Sequence, residues 1–230
     1  YGENGASWYY GNDSVKPVVK GRIAGMEYTL NRNAGALDDI ENKTLAIEYK
    51  LYYYDYDGKT YDNMPSYDAI DETPPKDAGT YYVIVVTKET SAYMQSKTTR
   101  GAAKTVTILP REISVEGQTD APDYKRGESY TVADFVKKEN FPNTSNNDGL
   151  SYADTAGTVL DVTGEPAGGF KHAGTYNVSL AINAAHANNY TWAEGQTVTA
   201  GKVSVEFVIN KLSLSFDMTS ASFYYGENKE

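Results

Sequence analysis

The chain has 230 residues, a formal net charge of −10 and no cysteine, which excludes disulfides, zinc–thiolate sites and cysteine nucleophiles. The acidic balance argues against nucleic acid as a partner, because phosphate binding needs a basic stripe. No apolar run approaches the roughly 18 residues that a membrane span requires.

Strand patterns follow one another along the chain. Residues 45–54 (LAIEYKLYYY) are predicted to form one long strand, and the Asp-Gly pair at 57–58 predicts a type I′ hairpin turn after it. Residues 81–86 are apolar on both faces, which indicates a central strand or one whose second face meets a neighbour. Residues 175–182 and 203–209 alternate with a period of two, which is typical of half-buried strands. The predicted inward positions are Tyr176, Val178, Leu180, Ile182, Val203, Val205, Phe207 and Ile209.

Two short helices are also predicted. The stretches ALDDIE (36–41) and TVADFVKK (131–138) place apolar residues at helical spacing. Both are too short to set the fold class. The 21 tyrosines, with frequent threonine and valine, indicate strands instead.

An internal repeat organises the chain. DAGTYYV (77–83) recurs 95 residues later as HAGTYNV (172–178), and VTILPREISV (106–115) recurs 101 residues later as FVINKLSLSF (207–216). A loop tyrosine stands between these motifs each time, Tyr93 in SAYM and Tyr190 in NNYT. The larger second offset indicates a longer loop in the second copy.

A third motif marks where each copy begins. WYYGN surrounds Gly11, DYKRGES surrounds Gly127 and FYYGEN surrounds Gly226. We therefore predict a first domain over 1–110, a second over 111–211 and the start of a third repeat over 212–230. Residues 1–110 and 111–211 are called the first and second units below. We expect residues 212–228 to dock on the second unit or on a neighbouring molecule's first unit, the alternative being that they project freely.

The AGTY motif suggests a fold. In immunoglobulin-like (Ig-like) sandwiches, a tyrosine near the start of strand F bonds back to the preceding corner. Tyr81 and Tyr176 fit that role, although an ordinary turn followed by a strand would use the same residues. The predicted fold is all-β, with two tandem Ig-like β-sandwich domains. The alternative is β-grasp-like units with one short helix each.

Acidic and histidine positions offer little chemistry. Asp55, Asp57 and Asp62 resemble half of a calcium loop, but the twelfth position is Ser66, where an EF-hand loop needs a glutamate. We interpret them as an acidic turn. His172 lies in a predicted turn and His186 in a predicted loop.

No catalytic signature stands out. The sequence has no G-x-S-x-G elbow, and nothing singles out a carboxylate pair among its 31 acids. We predict no catalytic, cofactor-binding or metal-binding residue, no cofactor, and a protein that is not an enzyme. An isopeptide bond involving Asn210 is disfavoured, because the first unit has Leu109 at the equivalent place.

A tyrosine cluster is the strongest candidate for ligand contact. Tyrosine suits contact with sugars and proteins because it joins an apolar body to a polar tip. Alternatively, cross-strand tyrosine pairs stabilise a hairpin. Trp8 and Trp192 are possible additions to the cluster. Its members are Tyr52, Tyr53, Tyr54, Tyr56, Tyr61 and Tyr67.

The repeated motifs resemble a known group of bacterial modules. WYYGN, FYYGEN, DAGTY, HAGTY, NNY and FVINKLSLSF are similar to the MBG repeats of YGX type and related bacterial Ig-like domains. DYKRGES departs from the pattern and marks the second unit as a divergent relative. The resemblance implies an extracellular, non-enzymatic module of the bacterial cell surface, found in strings in adhesins and cell-wall proteins.

Two functions are consistent with these observations. In the first, the chain is a stalk or spacer in adhesion whose partners are neighbouring repeats, with Pro110 stiffening a junction that has almost no linker. In the second, a Tyr-rich acidic face of the first unit binds a host protein or glycan. An enzymatic role is the least favoured.

Overall fold

The chain folds mainly into β strands. The computed structural model describes residues 6–14, 18–24, 26–32, 36–55, 62–98, 103–118, 120–137, 141, 148–151 and 153–217. Within these ranges the helices are single turns, so the all-β prediction is confirmed. The strands are β1 (Ala6–Tyr9), β2 (Lys20–Ile23), β3 (Met26–Leu30), β4 (Thr44–Leu45), β5 (Tyr49–Tyr54), β6 (Gly79–Thr87), β7 (Lys104–Leu109), β8 (Arg111–Ile113), β9 (Leu160–Thr163), β10 (Gly174–Ile182), β11 (Tyr190–Trp192), β12 (Val198–Thr199) and β13 (Lys202–Ile209).

Two sheets enclose the main core of the first unit. One has the order β1-β7-β6-β5, in which β1 runs parallel to β7 and the other pairs are antiparallel. The other has the order β2-β3-β4. Both sheets contribute buried residues to one cluster, so the apolar faces of the two sheets are removed from water together. The cluster contains Trp8, Val19, Tyr28, Leu30, Leu45, Ile47, Leu51, Val83, Val106 and Ile108.

Strand β6 is buried on both faces, as its sequence predicts. Val83 points into the core between the sheets. Ile84 and Val86 point the other way, into a smaller cluster with Tyr54 and Ile70. The second face is therefore covered by the segment around a 3-10 helix at Tyr67–Ala69.

The prediction of one strand over 45–54 is wrong. Residues 44–45 pair with β3 in one sheet, whereas residues 49–54 pair with β6 in the other. Between them the Asp38 carboxylate accepts a hydrogen bond from the Ala46 backbone N–H at 2.7 Å, which takes the place of a ladder bond. Both parts are apolar because both border the same core. The Asp-Gly turn at 57–58 lies outside the described residues.

The predicted helix at 36–41 is also wrong. Asp39 pairs with Thr44 as an isolated bridge, and a turn covers 40–43. The Asp39 carboxylate accepts hydrogen bonds from the Asn42 backbone N–H and side-chain amide, at 3.0 and 2.9 Å. Such local side-chain bonds offer the backbone an alternative to a helix.

The second unit packs one sheet against a layer of helical turns and short strands. The sheet has the order β12-β13-β10-β9, and its predicted alternation is confirmed. The opposite layer contains the parallel pair β8–β11 and the helix α1 (Val132–Phe135). Helix α1 confirms the helix predicted over 131–138 as a single turn, whereas α2 (Ala156–Val159) was not predicted. The cluster between the layers includes Ile113, Phe135, Phe141, Leu150, Val159, Phe170, Val178, Leu180, Tyr190, Phe207 and Ile209.

The sequence repeat is also a repeat of strand pairing. Strands β5, β6 and β7 pair in the same order and register as β9, β10 and β13. Under the offsets of 95 and 101, all five β6–β7 pairs have a counterpart in β10–β13, and four of the six β5–β6 pairs match a β9–β10 pair through the β6 residue. The matched pairs are Gly79↔Ile108 with Gly174↔Ile209, Tyr81↔Val106 with Tyr176↔Phe207, and Tyr49↔Thr87 with Leu160↔Ile182. The domain boundaries themselves stay a prediction.

Both predicted tyrosine corners form their backbone bond. The Tyr81 hydroxyl donates to the Asp77 carbonyl at 2.9 Å, and the Tyr176 hydroxyl donates to the His172 carbonyl at 2.7 Å. Each bond links the start of a strand to the turn before it. The tyrosine of the AGTY motif therefore forms the same hydrogen bond in both units.

The segment after β13 does not dock on the second unit in its described part. Residues 211–217 form no strand and are exposed. Docking of this segment on a neighbouring molecule's first unit stays a prediction. Residues 218–228 lie outside the described residues.

Candidate functional site at the junction of the two units

The two units are joined by one residue between strands. Strand β7 ends at Leu109 and β8 begins at Arg111, so Pro110 alone separates them. Strand β7 belongs to the first unit's sheet, whereas β8 pairs with β11 in the second unit. Proline fixes φ, which limits the directions in which the chain can leave β7.

Arg111 is buried at this junction and binds both units. It is only 3% exposed. Towards the first unit, its Nη1 donates to the Tyr10 carbonyl at 3.2 Å and to the Asn12 side-chain oxygen at 2.9 Å. Towards the second, its Nε donates to the Gly149 carbonyl at 3.0 Å and its Nη2 to the Asp148 carbonyl. Since a buried guanidinium is costly unless hydrogen-bonded, these contacts hold the units in one relative placement.

Asn189 is a second buried residue that hydrogen-bonds to both units. This asparagine of the NNY motif is 3% exposed. Its side-chain oxygen accepts from the Ala78 N–H at 2.7 Å, and its amide nitrogen donates to the Asp77 carboxylate at 2.9 Å. Its backbone carbonyl accepts from the Arg111 N–H at 2.9 Å. These hydrogen bonds therefore join the tyrosine corner of the first unit to a loop of the second.

The WYYGN motif lies against the second unit. The ring of Tyr10 meets the ring of Tyr190 edge to face, with centroids 5.4 Å apart, and Tyr10 packs on the cores of both units. Gly11 has φ of 75°, and a Cβ added there would lie 2.6 Å from the Ser151 Cβ. This glycine is therefore required both by its backbone conformation and by the close approach of Ser151.

A polar cluster around Asp154 lies next to the contact between Tyr10 and Tyr190. The Asp154 carboxylate accepts hydrogen bonds from the Tyr190 hydroxyl at 2.6 Å and from the Ser151 hydroxyl at 2.8 Å. Burial alone would raise the pKa of this carboxyl, but the hydroxyls of Tyr190, Ser151 and Tyr10 donate to it and hold its pKa below the ordinary value. Burial, together with the Asp154 charge, raises the pKa of Tyr10 to about 12.

Ser151, Asp154 and His186 contain the residue types of a catalytic triad in a different order. In a triad the serine bonds to histidine and the acid lies behind the histidine. Here the serine donates to the acid, and the His186 Nε2 lies 3.8 Å from the other carboxylate oxygen. The cluster therefore lacks a nucleophile–base pair and links polar groups across the junction. His172 is exposed and contributes its carbonyl to the second corner.

The Asp154 carboxylate should make the protein sensitive to acid. Its lowered pKa stabilises the fold above the unfolded pKa of about 4, and this stability is lost as the pH falls through the folded pKa. We expect Asp154→Asn to flatten the acid limb of a plot of urea midpoint against pH, between about pH 4.5 and 2.5.

Asp161→Asn is the control for this measurement, because Asp161 is an exposed carboxylate on β9. It should leave the acid limb as in the parent chain. An unchanged limb in Asp154→Asn would contradict the assignment.

The predicted tyrosine cluster is divided between two faces of β5. Tyr52 and Tyr54 stack with ring centroids 6.0 Å apart and lie on the face that also meets Tyr67. Tyr53 lies on the opposite face, against the main core of the first unit. The predicted cluster is therefore not one surface, because alternation along β5 separates Tyr53 from Tyr52 and Tyr54. Tyr56 and Tyr61 lie outside the described residues.

The other candidates do not join the junction or the tyrosine face. Trp8 is buried in the first unit's core, and Trp192 is half-buried with its indole N–H donating to the Gly201 carbonyl at 3.4 Å. Asp55 and Asp62 are exposed, whereas Asp57 lies outside the described residues. Within the described ranges, no group of three or more histidine, aspartate and glutamate side chains is placed to hold a metal ion. Asn210 is exposed and its amide donates to the Ala121 carbonyl at 2.9 Å.

Sequence reasoning missed the residues of the junction. The signal for Arg111 is a charged residue between buried apolar positions in VTILPREISV, where the second copy has Leu212. The signal for Asn189 is its place in the NNY motif. Both are buried polar residues, and a single sequence does not reveal which loop residues meet another part of the fold.

No protein-family model matches the chain, and no curated protein is significantly similar to it. In the described part of the chain, no helix is both long and apolar enough to cross a membrane.

Proposed function

We propose that this chain is a non-enzymatic stalk or spacer in adhesion, part of a tandem β-repeat protein of the bacterial cell surface. Its two Ig-like domains would be residues 1–110 and 111–211, and residues 212–230 would begin a third repeat. The observation that carries the proposal is the Arg111 junction, at which one buried side chain hydrogen-bonds to both units.

The strand order supports the Ig-like part of the proposal. Strands β5, β6 and β7 are neighbours with antiparallel pairing, as strands C, F and G are in an Ig sandwich. The tyrosine corner stands at the start of β6, where strand F of an Ig domain carries it. The β-grasp-like alternative loses support in the first unit, because residues 36–41 are not helical.

The junction suits a spacer for a physical reason. A stalk transmits force and direction only if neighbouring domains keep one relative orientation. Flexible Gly/Ser linkers lose that orientation within a few residues. Here one proline replaces the linker, and buried hydrogen bonds from Arg111 and Asn189 restrain rotation on either side of it.

Distance measurement between the units tests this proposal. Thr29 on β3 and Ser204 on β13 are exposed, and a chain without cysteine takes spin labels only at introduced cysteines. We expect the Thr29→Cys/Ser204→Cys double variant, with a nitroxide spin label on each cysteine, to give one narrow distribution of label-to-label distances by double electron–electron resonance spectroscopy. A broad or multiple distribution would show independent units and overturn the spacer function.

A second function, binding of a host protein or glycan, is favoured by one observation. Tyr52, which stacks on the buried Tyr54, and Tyr67 are half-buried and give a partly exposed aromatic surface on an acidic stretch of chain. Binding to a glycan or protein panel that Tyr52→Ser abolishes and Tyr53→Ser retains would favour this function, because Tyr53 lies on the opposite face.

A further inference from the structure

Three exposed apolar side chains follow the last strand of the second unit. Leu212, Leu214 and Phe216 are 60%, 85% and 78% exposed. They continue directly from β13, whose inward side chains are buried. Clusters of exposed apolar side chains on soluble domains commonly mark interaction sites. The segment over residues 212–216 is therefore a candidate interaction surface.

The internal repeat indicates what that partner is. Residues 111–115 occupy the same place after β7 as residues 212–216 occupy after β13. In the earlier copy, Ile113 and Val115 are 0% and 8% exposed, because the segment enters the second unit and pairs in parallel with β11. The same alternating pattern is thus buried where a unit follows it. The fitting occupant for residues 212–216 is another unit of this kind.

The first unit carries the matching segment, which is not itself in a strand. Residues 93–95 are the counterpart of β11, by the alignment of SAYM with NNYT. Within the described ranges, no strand or bridge pairs with residues 93–95. Met94 is 83% exposed and Leu37 is 87% exposed. The Tyr93 hydroxyl donates to the Asp38 carboxylate at 2.6 Å, so the chain segments that carry Met94 and Leu37 lie side by side.

We propose that residues 212–214 of one chain add as a parallel strand to residues 93–95 of a second copy, so that copies associate head to tail. The proposal rests on the tandem-repeat function and names the surface through which repeats meet. Addition of a strand to a sheet edge uses main-chain hydrogen bonds for affinity and alternate side chains for specificity. The register of β8 on β11 sets the expected pairs, which are Leu212↔Tyr93, Ser213↔Met94 and Leu214↔Gln95.

Disulfide trapping is the appropriate test. An association that buries well under ~1,200 Å² is weak, so a covalent trap detects it better than an equilibrium method. The parent chain has no cysteine, and Ser213 and Met94 are exposed, so Ser213→Cys and Met94→Cys should each fold. Their Cα atoms would face each other across paired strands about 4.8 Å apart, which is within disulfide range.

The two single-cysteine chains are mixed under a mild oxidant, one of them isotope-labelled so that mass identifies the mixed dimer. We expect it to form roughly tenfold faster than with Met26→Cys, another exposed methionine, in place of Met94→Cys. Adding Leu214→Asp to the Ser213→Cys chain should remove the advantage.

Equal rates for the Met94→Cys and Met26→Cys partners would overturn the proposal. So would an advantage that persists in Leu214→Asp. Neither result affects the spin-label distance between the two units of one chain, so failure of this pairing is distinguishable from failure of the spacer function.

Discussion

Replacing Arg111 by leucine should destabilise the protein by about 3–5 kcal/mol. Leucine is the residue at the equivalent position 212 of the repeat. It cannot donate to the carbonyls of Tyr10, Asp148 and Gly149, which stay at the junction without the guanidinium. Unpaired buried carbonyls carry their full desolvation cost.

Replacing Arg111 by leucine should also change the form of the urea unfolding transition. Arg111 is the side chain through which β8 holds the first unit, so its loss weakens the coupling between the units more than either core. We expect urea unfolding of Arg111→Leu to begin earlier and to separate into two transitions, seen by circular dichroism and tryptophan fluorescence together. Trp8 lies in the first unit's core and Trp192 packs on the second, so fluorescence follows both.

Arg126→Leu is the control for this substitution. Arg126 lies in the DYKRGES motif of the second unit and is exposed. Its replacement removes the same charge without opening a buried contact, so the effect on stability should be within ~0.5 kcal/mol. If both arginine variants unfold at the same urea concentration, the junction does not stabilise the fold through Arg111.

Gly11→Ala should destabilise the protein more than Gly127→Ala, although the two glycines share a motif position and a backbone conformation. Gly11 has φ of 75° and Gly127 has φ of 82°. Alanine in this left-handed region costs about 1–2 kcal/mol at either site. At Gly11 the new Cβ would also lie 2.6 Å from the Ser151 Cβ, whereas at Gly127 it would meet nothing within 4 Å.

The difference in the free energy of unfolding between Gly11→Ala and Gly127→Ala measures the contribution of the contact between the units. Overpacking of this kind costs a further ~1–3 kcal/mol or forces the surfaces apart. The measurement is the urea midpoint of each variant, together with the spin-label distance across the junction. Gly11→Ala should broaden that distance distribution and Gly127→Ala should not. Equal midpoints for the two variants would show that Ser151 does not press on Gly11.

Local patterns predicted the strands of the repeat well. The alternation at 175–182 and 203–209, the double-faced strand at 81–86 and the two tyrosine corners all appear as expected. Each depends on neighbours within a few residues, or on burial of one face, and periodicity reports both. The corner bond spans only four residues, so its motif contains both partners.

Predictions failed at two places, for two different reasons. The run at 45–54 breaks because its two ends join different sheets of the same core. The stretch at 36–41 turns back because Asp39 bonds to Asn42 and pairs with Thr44. Apolar spacing is the same for a continuous strand and for one that crosses between sheets, so the sequence pattern does not separate them.

The sequence by itself determined that the chain is built from strands and that one pattern of motifs occurs twice. It could do so because side-chain alternation and repeated motifs are properties of the linear order of residues. Only the tertiary structure decided which residues join the copies. Arg111, Asn189, Ser151 and Gly11 are dispersed over about 180 positions, and their roles come from desolvation and close approach where both units meet.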